Sequence, residues 1–432
     1  MKAQLRLRLV LLAVVLATQT GYFIVLLKRP VHAESDNVRY EVGAWNLAQG
    51  RGYALPLHGY GGTEDPDVAA WVCTRHPDAC AGAEIPAAMY MPGYSVFAAA
   101  IYAVVGRSLP ALAAANLVLL WLLFILFERV AARWLDRTGY LFAMIVAALY
   151  PFIAREATLI MSDHLHAVLW FAALAAFLLL KPGAARGAAF GGLMALATLT
   201  RPYSMLVFPV VWLWPSVRRG MQVKRREWLA GLFAFLLPFT IWTTRNYHWF
   251  GRVVPFTTGG VGIWLYQTTL EWDYDPYDPK NVKVWYDDIA TRFGGLEILS
   301  RRAGEMELRE AVKRIEEHPM KFVGRLLVHV PKVWISVGSN DSGRSRALPI
   351  LVTYMGGLLL LGLWGGWLMR HDARWHALLL AIAANWIFLL PFPGEARRTI
   401  PLRLPMLLLA GVAVSHAWRW WRSRRGANAS AT

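Results

Sequence analysis

The sequence predicts an all-α polytopic membrane protein with about ten transmembrane helices, and three observations carry that prediction. Hydrophobic residues make up 56% of the 432 positions and charged residues only 17%, against roughly 25% in a soluble chain. Residues 9–27, 110–127, 347–369 and 375–394 are each free of Asp, Glu, Lys and Arg, and each is long enough for a helix to cross hydrocarbon. The net charge of +17 is spread unevenly, with Lys and Arg gathered on alternate loops as the positive-inside rule requires. A soluble enzyme, a disordered chain and a disulfide-dense scaffold are excluded.

In order, spans are expected near 9–27, 110–128, 138–155, 164–180, 187–200, 203–217, 228–245, 349–369, 376–392 and 402–418. Lys2, Arg6 and Arg8 precede the first span and set the N-terminus inside. Val31-His32-Ala33 is weakly cleavage-like, but the apolar core before it is longer than that of a signal peptide and Lys28-Arg29-Pro30 intervenes. The first run is therefore read as an uncleaved span. Arg129, Arg133 and Arg137 follow the second span, Lys181 and Arg186 the fourth, and Arg218, Arg219, Lys224, Arg225 and Arg226 the sixth. Arg370 and Arg374 follow the eighth, and Arg419, Arg422, Arg424 and Arg425 the tenth. These loops absorb almost all of the positive excess, so no basic surface is left for nucleic acid. Both termini are expected in the cytoplasm.

Two further apolar stretches are not counted as spans. Residues 85–106 are uncharged but interrupted by Pro86, Pro92 and Gly93. A crossing there would also turn the basic cluster at 218–226 outward, so a helix on or dipping into the outer leaflet is expected. Residues 321–337 place Lys321, Arg325, His329 and Lys332 on one helical face and apolar residues on the other, the pattern of an interfacial amphipathic helix. The whole chain, 1–432, is read as a single membrane-embedded catalytic domain with two outward segments, 28–109 and 246–346. Cys73 and Cys80 are the only cysteines and both lie in the first segment. An oxidising outer compartment makes a disulfide between them plausible, and two thiols do not complete a zinc site.

The candidate chemistry lies at the outer ends of the spans. Asp36, in Ser35-Asp36-Asn37-Val38-Arg39-Tyr40, follows the first span. There it reads either as a general base for a hydroxyl or as a solvated end-cap. Asp163, in Ser162-Asp163-His164-Leu165-His166, lies between the third and fourth spans. With His164 and His166 it can hold a divalent ion, bind phosphate or tune a neighbouring carboxylate; as an N-cap it needs no function. Asp36, Asp163 and His166 are the ligands to consider if a divalent cation is used, the one cofactor the residues leave open. Arg155, Arg201, Arg245, Arg397 and Arg398 also fall at the outer face, where positive-inside bias does not put them. Guanidinium suits a lipid-linked phosphate, and pairing with Glu156 or Glu395 is the alternative.

The ordered set resembles the bacterial GT-C membrane glycosyltransferases, in particular the protein-mannosyltransferase-like group and the lipid A aminoarabinose transferases. The matching pieces begin with Asp36, Tyr40 and Asn46-Leu47-Ala48-Gln49-Gly50-Arg51-Gly52-Tyr53, then Met91-Pro92-Gly93-Tyr94, Tyr150-Pro151 and Ser162-Asp163. They continue with Leu199-Thr200-Arg201-Pro202, Arg245-Asn246-Tyr247 and Glu395-Ala396-Arg397-Arg398 before Pro401. Together they extend over about 10–410. The resemblance implies inverting transfer from a polyprenyl-phosphate sugar donor to a glycan, lipid or protein acceptor, at the outer face of the cytoplasmic (inner) membrane. It maps Asp36 to the family's loop acid and Asp163 to its second acidic position. Tyr40, His164, His166, Arg201, Arg245, Arg397 and Arg398 become candidates for contact with the donor's phosphate or sugar. His164 stands where the family commonly has Pro.

The same requirements follow from the chemistry. Transfer from a lipid phosphate passes through an oxocarbenium-like state, helped by a base on the acceptor hydroxyl and cations on the departing phosphate. The alternative is a transporter or flippase for a lipid-linked saccharide, which calls for ionisable residues near span centres and for duplicated halves. This sequence puts its charges at span ends and shows no internal repeat.

Overall fold

The computed structural model describes residues 2–27, 36–57, 66–80, 82, 84–217, 224–272, 291, 301–335, 348–392 and 396–429. Chain order is α1 (Lys2–Leu27), α2 (Asp36–Ala48), β1 (Ala54–Pro56), α3 (Pro66–Arg75), β2 (Glu84–Pro86), α4 (Gly93–Val105), α5 (Leu109–Trp134), α6 (Arg137–Ala148) and α7 (Phe152–Ala157). It continues with α8 (Ser162–Leu179), α9 (Ala184–Thr200), α10 (Val207–Val217), α11 (Arg225–Phe250), α12 (Gly262–Leu270), α13 (Arg301–Glu317), α14 (Pro319–Ile335), α15 (Leu348–Met369), α16 (His376–Leu389) and α17 (Ile400–Ala429). β1 and β2 pair as one antiparallel ribbon. The protein is all-α and polytopic: among the described residues, five helices (α1, α5, α8, α11 and α17) are long and apolar enough to cross a membrane. Each expected span overlaps a helix, the other five being α6, α9, α10, α15 and α16.

The third span is shorter than expected. α6 stops at Ala148 and a separate helix, α7, starts at Phe152. Pro151 between them has no N–H to continue the ladder, and its ring clashes with the preceding turn. Arg155 and Glu156 therefore ride on a short helix of their own.

Close packing in the bundle depends on small residues. Gly187 and Gly191 of α9 lie against the backbone carbonyls of Glu227 and Gly231 of α11, where a Cβ would collide with backbone. At one end of that seam Arg186 Nε donates to Glu227 Oε1 at 2.5 Å. Phe124, Phe127, Trp170, Phe171, Phe190 and Trp212 fill the core around it. Elsewhere, the buried Gln19 amide donates to the carbonyls of Ala147 and Tyr150, tying α1 to the end of α6.

The described parts of the two long inter-span segments pack against the bundle. α2 packs on α4 through Tyr40, Ala44, Tyr94, Ala98 and Tyr102. Within 85–106 only Gly93–Val105 is helical; the residues before it pair as β2 and then run as irregular chain to Pro92. Cys73 and Cys80 are joined by a disulfide between α3 and the turn after it. The amphipathic helix expected at 321–337 is present as α14 over its described residues, to Ile335, but its basic face is not wholly exposed. Arg325 is buried, pairs with Glu271 at 3.0 Å and donates to the carbonyls of Leu390 at 2.6 Å and Phe392 at 2.8 Å. Three acceptors in one place hold a guanidinium better than headgroups at the interface.

α13 lies along α12, with Gly262 against the Gly304 backbone. Glu307 is fully buried there and neither carboxylate oxygen has a partner, so burial pushes its pKa up from 4.5 to about 8. The folded chain then holds a proton that the unfolded chain releases. The stability this contributes is complete below 4.5 and is lost as pH rises towards about 8. Wild type should lose more melting temperature than Glu307→Gln between about pH 5 and about pH 9. Parallel thermal melts of the two in detergent test this; equal losses count against a buried neutral carboxyl.

Candidate active site

Asp36 is the first residue of α2, and Tyr40 follows it by one helical turn. The Asp36 carboxylate accepts a hydrogen bond from the Tyr90 hydroxyl at 2.7 Å, so it is not a bare end-cap. Tyr40 is buried between the rings of Tyr90 and Tyr94, at centroid distances of 5.1 and 5.5 Å. Its backbone carbonyl accepts from Ser95 Oγ and its hydroxyl accepts from Ser162 Oγ, both at 3.0 Å. Burial pushes the Tyr40 hydroxyl up to about 12, partly offset by the Arg201 charge, so it keeps its proton.

Ser162 leads directly to Asp163, in the first turn of α8. The cap of α8 is Met161, with no side-chain cap bond, so Asp163 is not there as an N-cap. Its Oδ2 accepts from Arg201 Nη2 at 2.5 Å, and both residues are buried. Arg201 ends α9 and also donates from Nη1 to the Tyr203 hydroxyl at 3.1 Å. Its partner is therefore Asp163, not the Glu156 or Glu395 that the sequence offered; Glu395 lies outside the described residues. Asp163 Oδ1 and Arg201 Nε have no hydrogen-bond partner. A side chain on Gly93 would meet Thr200 Oγ1 at 2.5 Å and the Leu199 carbonyl at 2.8 Å. The Met91-Pro92-Gly93-Tyr94 and Leu199-Thr200-Arg201-Pro202 motifs thus touch.

Glu156 lies beside this pair. Its pKa is pushed up to about 7, first by burial and then by the Asp163 charge, against the pull of Arg155, Arg397 and Arg201. These five groups share one field at one end of the bundle. Arg397 is half-buried in the turn before α17. Arg398 is buried, with its guanidinium over Trp264 at 4.9 Å and Tyr203 at 5.8 Å.

Three expected members are placed differently. His164 is bonded to the Asn116 carbonyl at 3.2 Å and His166 to Ser204 Oγ at 2.7 Å, partners on α5 and on the turn before α10. Among the described residues no group of three or more His, Cys, Asp or Glu is arranged to hold a metal ion, so Asp36, Asp163 and His166 are not gathered as a ligand set. Arg245 holds the β-ribbon. Its Nη1 donates to Ala87 O at 2.8 Å and Nη2 to Tyr53 O at 2.7 Å, with the Trp242 ring 5.2 Å away. Sequence reading missed Tyr90, which lies one residue before the quoted Met91-Pro92-Gly93-Tyr94 and has no spacing signal of its own.

No protein-family model matches the chain, and no curated protein does. Two solved structures do: ArnT from Cupriavidus metallidurans in the apo state, and the same protein bound to undecaprenyl phosphate. The first is 17% identical, with 95% of this chain and 78% of that one covered at a TM-score of 0.37. The second is 14% identical, with 94% and 77% covered at a TM-score of 0.38. Superposition this loose assigns neither family nor activity.

Removing one partner of a buried pair leaves a lone charge in low dielectric, at a cost of about 3–5 kcal/mol. Asp163→Asn and Arg201→Gln should each lower the melting temperature sharply, and the double variant should lose clearly less than the sum. Thermal melts of the three purified variants read this directly; additive losses would show the pair to be uncoupled.

Proposed function

We propose that the protein is an inverting glycosyltransferase. It moves a sugar from a polyprenyl-phosphate donor to a glycan, lipid or protein acceptor at the outer face of the cytoplasmic membrane. The observation that carries this is the Tyr40–Ser162 hydrogen bond, which brings α2, headed by Asp36, onto Ser162, the neighbour of Asp163. Two acids far apart in the chain, with arginines around the second, supply both helps that the transfer needs. The sequence resemblance assigns the same two acids to the same family positions.

In this reading Asp36 takes the proton of the acceptor hydroxyl as its oxygen attacks the anomeric carbon. The bond from that carbon to the phosphate oxygen breaks on the opposite face, and the configuration inverts. The lipid phosphate leaves with both electrons of that bond. Arg397 and Arg398 then meet its growing charge, which matters more in the transition state than in the ground state. Arg201 acts through Asp163, holding the seam on which the site is built. The bundle's apolar flanks accommodate the polyprenyl chain.

Asp36→Asn keeps the shape and removes the basic lone pair, so transfer should fall by at least ~100-fold while donor binding survives. Turnover of radiolabelled polyprenyl-phosphate sugars, scored on a panel of donors, measures this and names the sugar; near-normal turnover would sink the assignment. Orientation is tested separately. A cysteine replacing Arg129 should resist a membrane-impermeant thiol reagent added to intact cells, and one replacing Arg309 should react. The reverse pattern would turn the site inward.

A further inference from the structure

Tyr90 lies on a short irregular arm between β2 and α4, and that arm is fixed from several sides. Arg245 donates to the carbonyls of Ala87 and Tyr53. The Ala87 N–H bonds to Tyr53 O at 3.1 Å, and the Thr258 N–H bonds to Ala88 O at 2.9 Å. Pro92 and Gly93 then turn the chain into α4 against Thr200. The backbone on both sides of Tyr90 therefore has little freedom. Its ring lies 5.1 Å from the ring of Tyr40 and under the guanidinium of Arg39. Its hydroxyl accepts from Arg39 Nη1 at 3.3 Å and gives its own proton to Asp36 Oδ1 at 2.7 Å.

We infer that Tyr90 is the positioning residue of the Asp36 carboxylate: its hydroxyl occupies one carboxylate oxygen, fixes the plane of the group and leaves the second oxygen for the acceptor hydroxyl. The inference rests on the reading of Asp36 as the base. A carboxylate has two equivalent oxygens and a soft terminal torsion. Without a fixed donor it swings about that torsion, and a base that swings spends little time in line with its proton. Burial holds the Tyr90 hydroxyl well above its ordinary value of 10. It stays a donor throughout the working pH range and is not itself a competing base. The Arg39 contact on the same oxygen keeps the phenol proton turned towards Asp36.

Tyr90→Phe keeps the ring and removes only the O–H. We expect kcat to fall about 10–100-fold, the scale of misaligning a reacting group by about 1 Å, with donor KM and melting temperature unchanged. Placed on Asp36→Asn, the same change should cost less than about 2-fold more, because the group it positions is already inactive. A merely structural tyrosine would lower stability and act additively. If Asp36→Asn is inactive but Tyr90→Phe turns over normally, or the two losses multiply, the positioning role is overturned and the base survives. If Asp36→Asn itself turns over normally, the base reading fails and this inference fails with it. Should Tyr90→Phe not accumulate as folded protein, 3-fluorotyrosine at position 90 retains shape and sharpens the donor. A changed pH profile of kcat then supports the role, and an unchanged one overturns it.

Discussion

The buried Asp163–Arg201 pair is the contact on which this end of the bundle depends. It joins the first turn of α8 to the residue that ends α9, with little water to solvate either charge alone. Separating them would strand a carboxylate and a guanidinium in low dielectric, which costs far more than an ordinary packing change. Neighbouring elements are registered to that seam. Ser162 reaches Tyr40 on α2, Gly93 of α4 lies directly on Thr200, and Tyr203 accepts from the second arm of Arg201. Asp36 stands one turn from Tyr40, so its place is set by a pair it does not touch.

These arginines show what a guanidinium does at the end of an apolar bundle. It has five donors and a flat face, and each arginine uses a different part of that set. Arg201 takes a carboxylate and a phenol. Arg245 takes two carbonyls and aromatic faces. Arg325 takes a carboxylate and two carbonyls, and Arg398 stacks on Trp264. Sequence position alone made Arg201 and Arg245 look equivalent. The partners separate them: Arg245 stiffens the ribbon and arm that lead to Tyr90, while Arg201 closes the seam between α8 and α9.

The helices were legible because their signal is local. Uncharged length, basic loops and the period of α14 are properties of consecutive residues, and every expected span overlaps a helix. Pro151 was visible in the sequence, but only the structure shows that it ends α6 early and gives Glu156 a helix of its own. Pairings were the illegible part. Asp36 with Tyr90, Asp163 with Arg201 and Arg325 with Glu271 each join residues tens of positions apart, and no periodicity encodes which acid meets which base. His164 and His166 show the converse case. Their spacing with Asp163 suggested a ligand set, yet successive helical residues point about 100° apart, and each ring finds its own partner on another element.

Glu156 gives the cluster a property that counting arginines does not. Beside Arg155, Arg201 and Arg397, a carboxyl would ordinarily ionise readily, but burial and the Asp163 charge outweigh them and push its pKa up to about 7. At neutral pH it carries its proton a large part of the time. The net charge around Asp163 is therefore more positive than the fully ionised residues would give, and it becomes less so as pH rises through that value. A phosphate brought to this field would add negative charge near Glu156 and favour its protonated form further, since like charge disfavours ionisation. By linkage, anion and proton then support each other's binding. On the proposed reading, this coupling would favour a negatively charged group over a neutral one, for an electrostatic reason separate from any single arginine's hydrogen bonds.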